Sequence, residues 1–272
     1  MESDPFLFKD RHDAGRRLAQ ALMHLKDLRP VVLGLPRGGV PVAYEVARAL
    51  DAPLDVLLVR KIGAPWHAEL GLGAVVDGEH PQCVMNEDVV RMVNPPPGYI
   101  EAERERQMKE IERRRALYCG ARQPVRVEGR TVIVVDDGVA TGGTLKTALA
   151  ALTTAGLAKL VFAVPVAPQE TLDSMRNIPG VDEGICLQTP PYFRAISLYY
   201  ENFDQTSDEE VVELLSYATQ YRVNEEDEES ISPHGPVEEL GAGSEIDAIP
   251  PDSVRDRRPP DSSLPDVEHR HR

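Results

Sequence analysis

Two adjacent carboxylates, Asp136 and Asp137, stand at the end of the apolar run Val132 to Val135 and lead into a turn rich in Gly and Thr. That turn, Gly138-Val139-Ala140-Thr141-Gly142-Gly143-Thr144, opens a segment from Leu145 to Leu152 with the composition of a helix. Open α/β sheets bind ligands at the carboxyl ends of their strands, and helix N-termini attract anions. The spacing therefore sets a phosphate cradle within a few residues of two acids that can accept from hydroxyls. This is the chemistry needed to hold a sugar phosphate. Two other stretches, Pro36-Arg37-Gly38-Gly39 and Arg60-Lys61, combine positive charge with a strand end. In the first, glycine lets backbone approach an anion closely.

Elements to position these residues are legible along the first 222 residues. Residues 11–26 form an expected helix, with Leu18, Leu22 and Leu25 at helical spacing. Strands are expected at Val31 to Leu35, Leu54 to Val59, Val132 to Val135 and Leu160 to Val164, with helices near 40–50 and 143–155. Their alternation predicts an α/β fold with a mainly parallel central sheet flanked by helices. Gly184 to Leu187 reads as an edge strand or part of a small hood. Residues 101–118 are dense in Glu, Arg and Lys, so they predict a largely solvent-exposed helix, with Arg113-Arg114-Arg115 paired to nearby Glu. Ser207-Asp208-Glu209-Glu210 has the form of a capping box, opening a last helix that ends near Tyr221.

Composition narrows the class of protein. The formal net charge is −15, and residues 223–272 carry 14 Asp and Glu against five Arg, seven Pro and no aromatic residue. Such a segment buries too little apolar surface to offset chain entropy, so it reads as a disordered acidic tail following an ordered domain at 1–222. The acidic body disfavours a nucleic-acid partner. No apolar run of about 18 residues predicts a membrane span, and no secretory signal is visible, so cytoplasmic residence is the expectation. Three cysteines, Cys83, Cys119 and Cys186, are odd in number and far apart, which argues for free thiols.

Val134 through Thr144 matches, at every position, the loop with which type I phosphoribosyltransferases bind phosphoribosyl pyrophosphate (PRPP). That loop has two apolar residues, two acids, a small residue, any residue, Ala or Thr, Thr or Ser, Gly, any residue, and Thr or Ser. The chain thus resembles that family, and the resemblance runs from residue 6 to about 220. It implies that Asp136 and Asp137 hold the ribose 2′- and 3′-hydroxyls. Ala140, Thr141, Gly142, Gly143 and Thr144 would hold the 5′-phosphate. The Pro36 to Gly39 turn resembles the pyrophosphate loop of purine transferases, so a cis peptide is predicted at Pro36–Arg37, with Arg37 and Gly38 on the pyrophosphate. Lys61 would meet the same group, giving a catalytic set of Asp136, Asp137, Arg37 and Lys61. Residues 63–69 fit a mobile lid, in which His67 is a candidate base and Trp66 is either part of the lid or a packing anchor. The aromatics Tyr192 and Phe193 are candidates for a small C-terminal hood over the base, with core packing as their other reading.

The resemblance further implies Mg²⁺ as cofactor, bridging substrate oxygens and water with no direct protein ligand expected. The implied partners are PRPP and a small nitrogenous acceptor, and a homodimer is the candidate assembly. Enzymes acting on 6-oxopurines usually carry an Asp where this chain has Ala140, so the loop is more similar to that of adenine or orotate transferases. Arg37-Gly38-Gly39, Arg60-Lys61-Ile62-Gly63 and the long helix near 101–118 resemble a bacterial group of phosphoribosyltransferase-like proteins without an established acceptor. Three activities remain open at this level: transfer of the phosphoribosyl group to a base, hydrolysis with water as acceptor, and non-catalytic sensing of PRPP or a nucleotide by a regulatory protein of the same fold.

Overall fold

A computed structural model describes residues 7–78 and 81–229. Its centre is a five-stranded, wholly parallel sheet of β1 (Val31–Gly34), β2 (Leu54–Val56), β6 (Thr131–Val135), β7 (Lys159–Val166) and β8 (Glu183–Gln188), in the order β2-β1-β6-β7-β8. The apolar runs arise because both faces are covered. Ile133 and Val135 of β6 join one core with α1 (Arg11–Leu22), α2 (Gly39–Leu50) and the first turns of α7 (Asp208–Glu229). Val132 and Val134 point the other way, into a core shared with α5 (Gly143–Leu152) and α6 (Gln169–Arg176). The period-two alternation of a strand makes this division automatic.

Strand order also places the site. From β1 the chain steps outward to β2, whereas β6, β7 and β8 are laid down on the opposite side, so the winding reverses between β1 and β6. A crevice opens at such a reversal, beyond the carboxyl ends of the strands. The Pro36 to Gly39 turn follows β1 and the paired acids follow β6, which brings both to that crevice.

Two expectations are corrected here. Leu54 to Val59 is not one strand: β2 ends at Val56, and Val59 begins β3 (Val59–Ala64) in a second, antiparallel sheet with β4 (His67–Val76) and β5 (Gln82–Met85). Arg60 and Lys61 therefore lie inside β3 rather than at a strand end. The last helix runs to Glu229, beyond Tyr221, taking in the acidic run at 225–229. The remainder of the expected tail, residues 230–272, lies outside the described residues. Gly184 to Leu187 does form the edge strand β8, and Ser207 Oγ accepts from Glu210 N at 3.1 Å, as the capping box requires.

Helix α4 (Tyr99–Cys119) ties the two sheets together, after the short helix α3 (Glu87–Val93). Arg113 and Arg114 pair with Glu110 on the surface, as expected. Arg115 differs, because its guanidinium turns inward between Asp77, just after β4, and Asp55 of β2, at 2.7 and 3.3 Å. It also donates to the Val56 carbonyl at 3.0 Å. One side chain thus bridges the central sheet and the small one. Removing one partner of a buried ion pair costs about 3–5 kcal/mol, because the remaining charges stay desolvated. Arg115→Ala should lower unfolding stability by an amount of that order in a denaturant titration, whereas Arg113→Ala should change it by less than about 1 kcal/mol.

Candidate functional site

The two acids leave β6 with different surroundings. Asp136 borders a cleft of about 720 Å³, and its Oδ1 accepts from Asp137 N at 2.9 Å. Asp137 is buried and is not among the residues lining that cleft, its Oδ2 accepting from Arg11 Nε at 2.8 Å. Burial, followed by the negative charge of Asp137, holds the Asp136 carboxyl well above the usual carboxylate range. Burial also raises Asp137, against the opposing charge and hydrogen bond of Arg11.

The glycines of the β1 turn make room for these acids. A Cβ on Gly38 would stand 2.0 Å from Asp137 Oδ2, and one on Gly39 would stand 2.8 Å from the Val135 carbonyl and 2.9 Å from Asp136 Cα. Larger residues would push apart the first turn of α2 and the end of β6. The Pro36–Arg37 peptide is cis, as the sequence predicts. The Arg37 guanidinium is 3.9 Å from Asp208 at the start of α7, and neither Arg37 nor Gly38 lines the cleft.

The anion cradle follows Asp136. Gly142 has φ +78°, a left-handed conformation open to glycine, and it is the N-cap of α5 with no side chain capping the helix. The first N–H groups of a helix have no partner within it, and its dipole adds about half a positive charge at that end. Ala140 to Thr144 all line the cleft, with Thr147 one turn further along. Thr171 of α6 donates to the Ala140 carbonyl at 2.8 Å and so braces the loop from behind.

The opposite wall comes from the small sheet. Lys61 lines the cleft together with Gly71, Gly73, Met85 and Asn86, and its stem runs past Gly71. Arg60, one residue earlier, points to the other face and donates to Gln107 of α4 at 3.0 Å. Strand alternation separates the two cations, which the sequence alone left side by side. The expected lid at 63–69 is the tip of the β3–β4 hairpin, where Ala64 pairs with His67. Trp66 is 79% exposed there, so it is no packing anchor, and His67 is outside the cleft lining.

Tyr192 and Phe193 are not in the cleft lining either. Tyr192 is 88% exposed, and Phe193 stacks on Tyr199 with ring centroids 5.6 Å apart. The reason is covalent reach: the stretch around Tyr199 to Phe203 is paired with the N-terminal residues behind Asp137, which holds the neighbouring aromatics on that side. Tyr200 Oη donates to the Asp137 carbonyl at 2.5 Å, and burial then the Asp137 charge push its phenol upward. Sequence reasoning missed Arg11 and Tyr200, which have no local signal because each meets Asp137 across a large span of chain. It also missed the β3–β5 wall, whose alternation is interrupted by Gly71 and Gly73.

One cleft thus gathers a carboxylate at its edge, a glycine-capped helix N-terminus and a lysine from the opposite sheet. Residues 9–179 match the model of the phosphoribosyl transferase domain, and the chain belongs to that family. Two proteins from strains of Mycobacterium tuberculosis, provisionally named phosphoribosyl transferases, are each 46% identical over 212 residues, 78% of this chain and 47% of theirs. The chain spans about half the length of these curated relatives. The crystal structure of TT1426 from Thermus thermophilus is 42% identical and superposes with a TM-score of 0.68, covering 77% of this chain and 97% of that one. Among the described residues, no helix is long and apolar enough to cross a membrane.

Proposed function

We propose that this chain binds PRPP with Mg²⁺ and transfers its phosphoribosyl group to a small nitrogenous acceptor, releasing pyrophosphate. The observation that carries this reading is the convergence in one cleft of Asp136, the Ala140 to Thr144 turn and Lys61, which come from two different sheets. The turn is the 5′-phosphate seat. Asp136 accepts from a ribose hydroxyl, and Asp137 from its neighbour once the donor reaches the rear of the crevice. Lys61 faces the pyrophosphate, whose charge grows as the bond to the ribose C1 breaks. Fixed positive charge at that point lowers the barrier because it requires no reorganisation. Arg37 would join it by turning from Asp208, with Gly38 supplying backbone beside it.

The donor set fits magnesium, which keeps several waters and is bound through one or two carboxylates plus substrate phosphates. Asp136 is the carboxylate that borders the cleft. When bound beside Asp136, Mg²⁺ would supply charge that neutralises the departing pyrophosphate.

Calorimetric titration tests the donor site. PRPP with Mg²⁺ should bind more tightly than either ribose 5-phosphate or pyrophosphate, since it fills both halves of the cleft. Equal affinity for PRPP and pyrophosphate would contradict a sugar-phosphate seat at residues 140–144.

A further inference from the structure

Asp137 is gripped from behind by two stretches from opposite ends of the domain. Phe8 N donates to the Tyr199 carbonyl at 2.9 Å, Glu201 N to the Phe8 carbonyl at 2.8 Å and Asn202 N to the Lys9 carbonyl at 3.0 Å. The residues before α1 and the stretch before α7 thus form one strap. Arg11 is seated in that strap: Nη1 donates to the Asp204 carbonyl at 2.6 Å, and Cζ lies 3.9 Å from the centroid of the Phe203 ring. Its Nε is the group that meets Asp137, and the two side chains are 11% and 12% exposed. Asp10 caps the helix immediately before it, accepting from Asp13 N at 2.7 Å, which fixes where α1 begins and where Arg11 points.

We propose that Arg11 is a positioning residue for the donor: it acts through Asp137, holding that carboxylate in one orientation and offsetting its charge. The proposal rests on the PRPP reading given above. Two neighbouring carboxylates repel a polyanion such as PRPP, and at a largely desolvated site that repulsion is weakly screened. One guanidinium on the rear acid removes a unit of that repulsion without occupying the cleft. The charged or titratable groups facing Asp137 are Arg11 from α1, Asp136 beside it and Tyr200 from the strap. The α2 turn presents the uncharged Gly38.

The test is calorimetric titration of the full chain with PRPP and Mg²⁺ at neutral pH, for wild type, Arg11→Gln and Arg11→Lys, with a melting curve for each. Arg11→Gln should weaken PRPP by roughly five- to tenfold at neutral pH, the scale of coupling between linked sites. Arg11→Lys should recover most of the affinity. Lower melting temperatures in both variants, with affinity unchanged, would overturn the proposal and leave Arg11 a structural pin. A wild type that binds no PRPP would overturn the donor reading and this inference together. A wild type that binds PRPP while Arg11→Gln matches it would overturn this inference alone.

Discussion

Asp136→Asn should weaken PRPP binding by roughly 10- to 100-fold, the worth of hydrogen bonds to a charged group, and at the same time raise the melting temperature. The first half follows from its place at the edge of the cleft beside the phosphate turn. The second follows from its titration. Its carboxyl is held well above the ordinary Asp range by burial and by Asp137, so the folded state binds this proton more tightly than the unfolded chain does. Stability from this group is therefore greatest below the ordinary Asp range and falls as pH rises through the raised value. Asparagine cannot ionise, and its Oδ1 can still accept from Asp137 N. It removes the cost of the buried charge, giving about 2–4 °C for each kcal/mol relieved in a chain of this size. A melting difference that widens as pH rises through that window, together with lost binding, is the signature of an acid kept for function at the expense of stability. Equal melting temperatures at all pH values would show that Asp136 is not strained by its position.

Lys61→Met should lower kcat by roughly 10²–10³-fold, the loss typical of removing one preorganised charge from a developing anion. Methionine keeps an unbranched stem, so the packing past Gly71 is retained. The fall should appear mainly in kcat, because the charge on pyrophosphate grows as it leaves. Binding of PRPP should weaken less than turnover falls. Arg60→Met is the natural comparison, because Arg60 points to Gln107 on the other face of β3 and should leave kcat within about threefold of wild type. A Lys61→Met enzyme with normal kcat and raised KM would make Lys61 a simple binding charge.

What could be read from the sequence follows the range over which each interaction acts. The motif at 134–144 is local: strand, acids, turn and helix are consecutive, so their order and the cleft-lining turn were legible from spacing alone. The cis peptide at Pro36–Arg37 followed from a short turn resembling one in a known family. Arg60-Lys61 was half legible. The charge was visible, but its division between two faces depended on β3 being a strand, and the continuous apolar run across Leu57 and Leu58 concealed the break after β2. Arg113, Arg114 and Arg115 show the same limit within one helix. The first two pair with Glu110 on the surface, while Arg115 is drawn inward by Asp55 and Asp77, carboxylates that are remote in sequence. The aromatics at 192–203 suggested a hood because flat rings suit a base. Their partners, Phe8 and Arg11, lie at the far end of the domain, and that pairing decides which side of the motif they cover.

Whether the cleft handles PRPP as a donor is decided by pyrophosphate release. The full chain is incubated with PRPP and Mg²⁺, alone and with each of a panel of purine and pyrimidine bases, and pyrophosphate is quantified over time. A donor site of this kind should give release that depends on one or a few bases and is lost in Lys61→Met. Steady release without any base would replace the transferase with a hydrolase. No release with any base, despite tight PRPP binding, would contradict catalysis and leave a sensor of PRPP in its place.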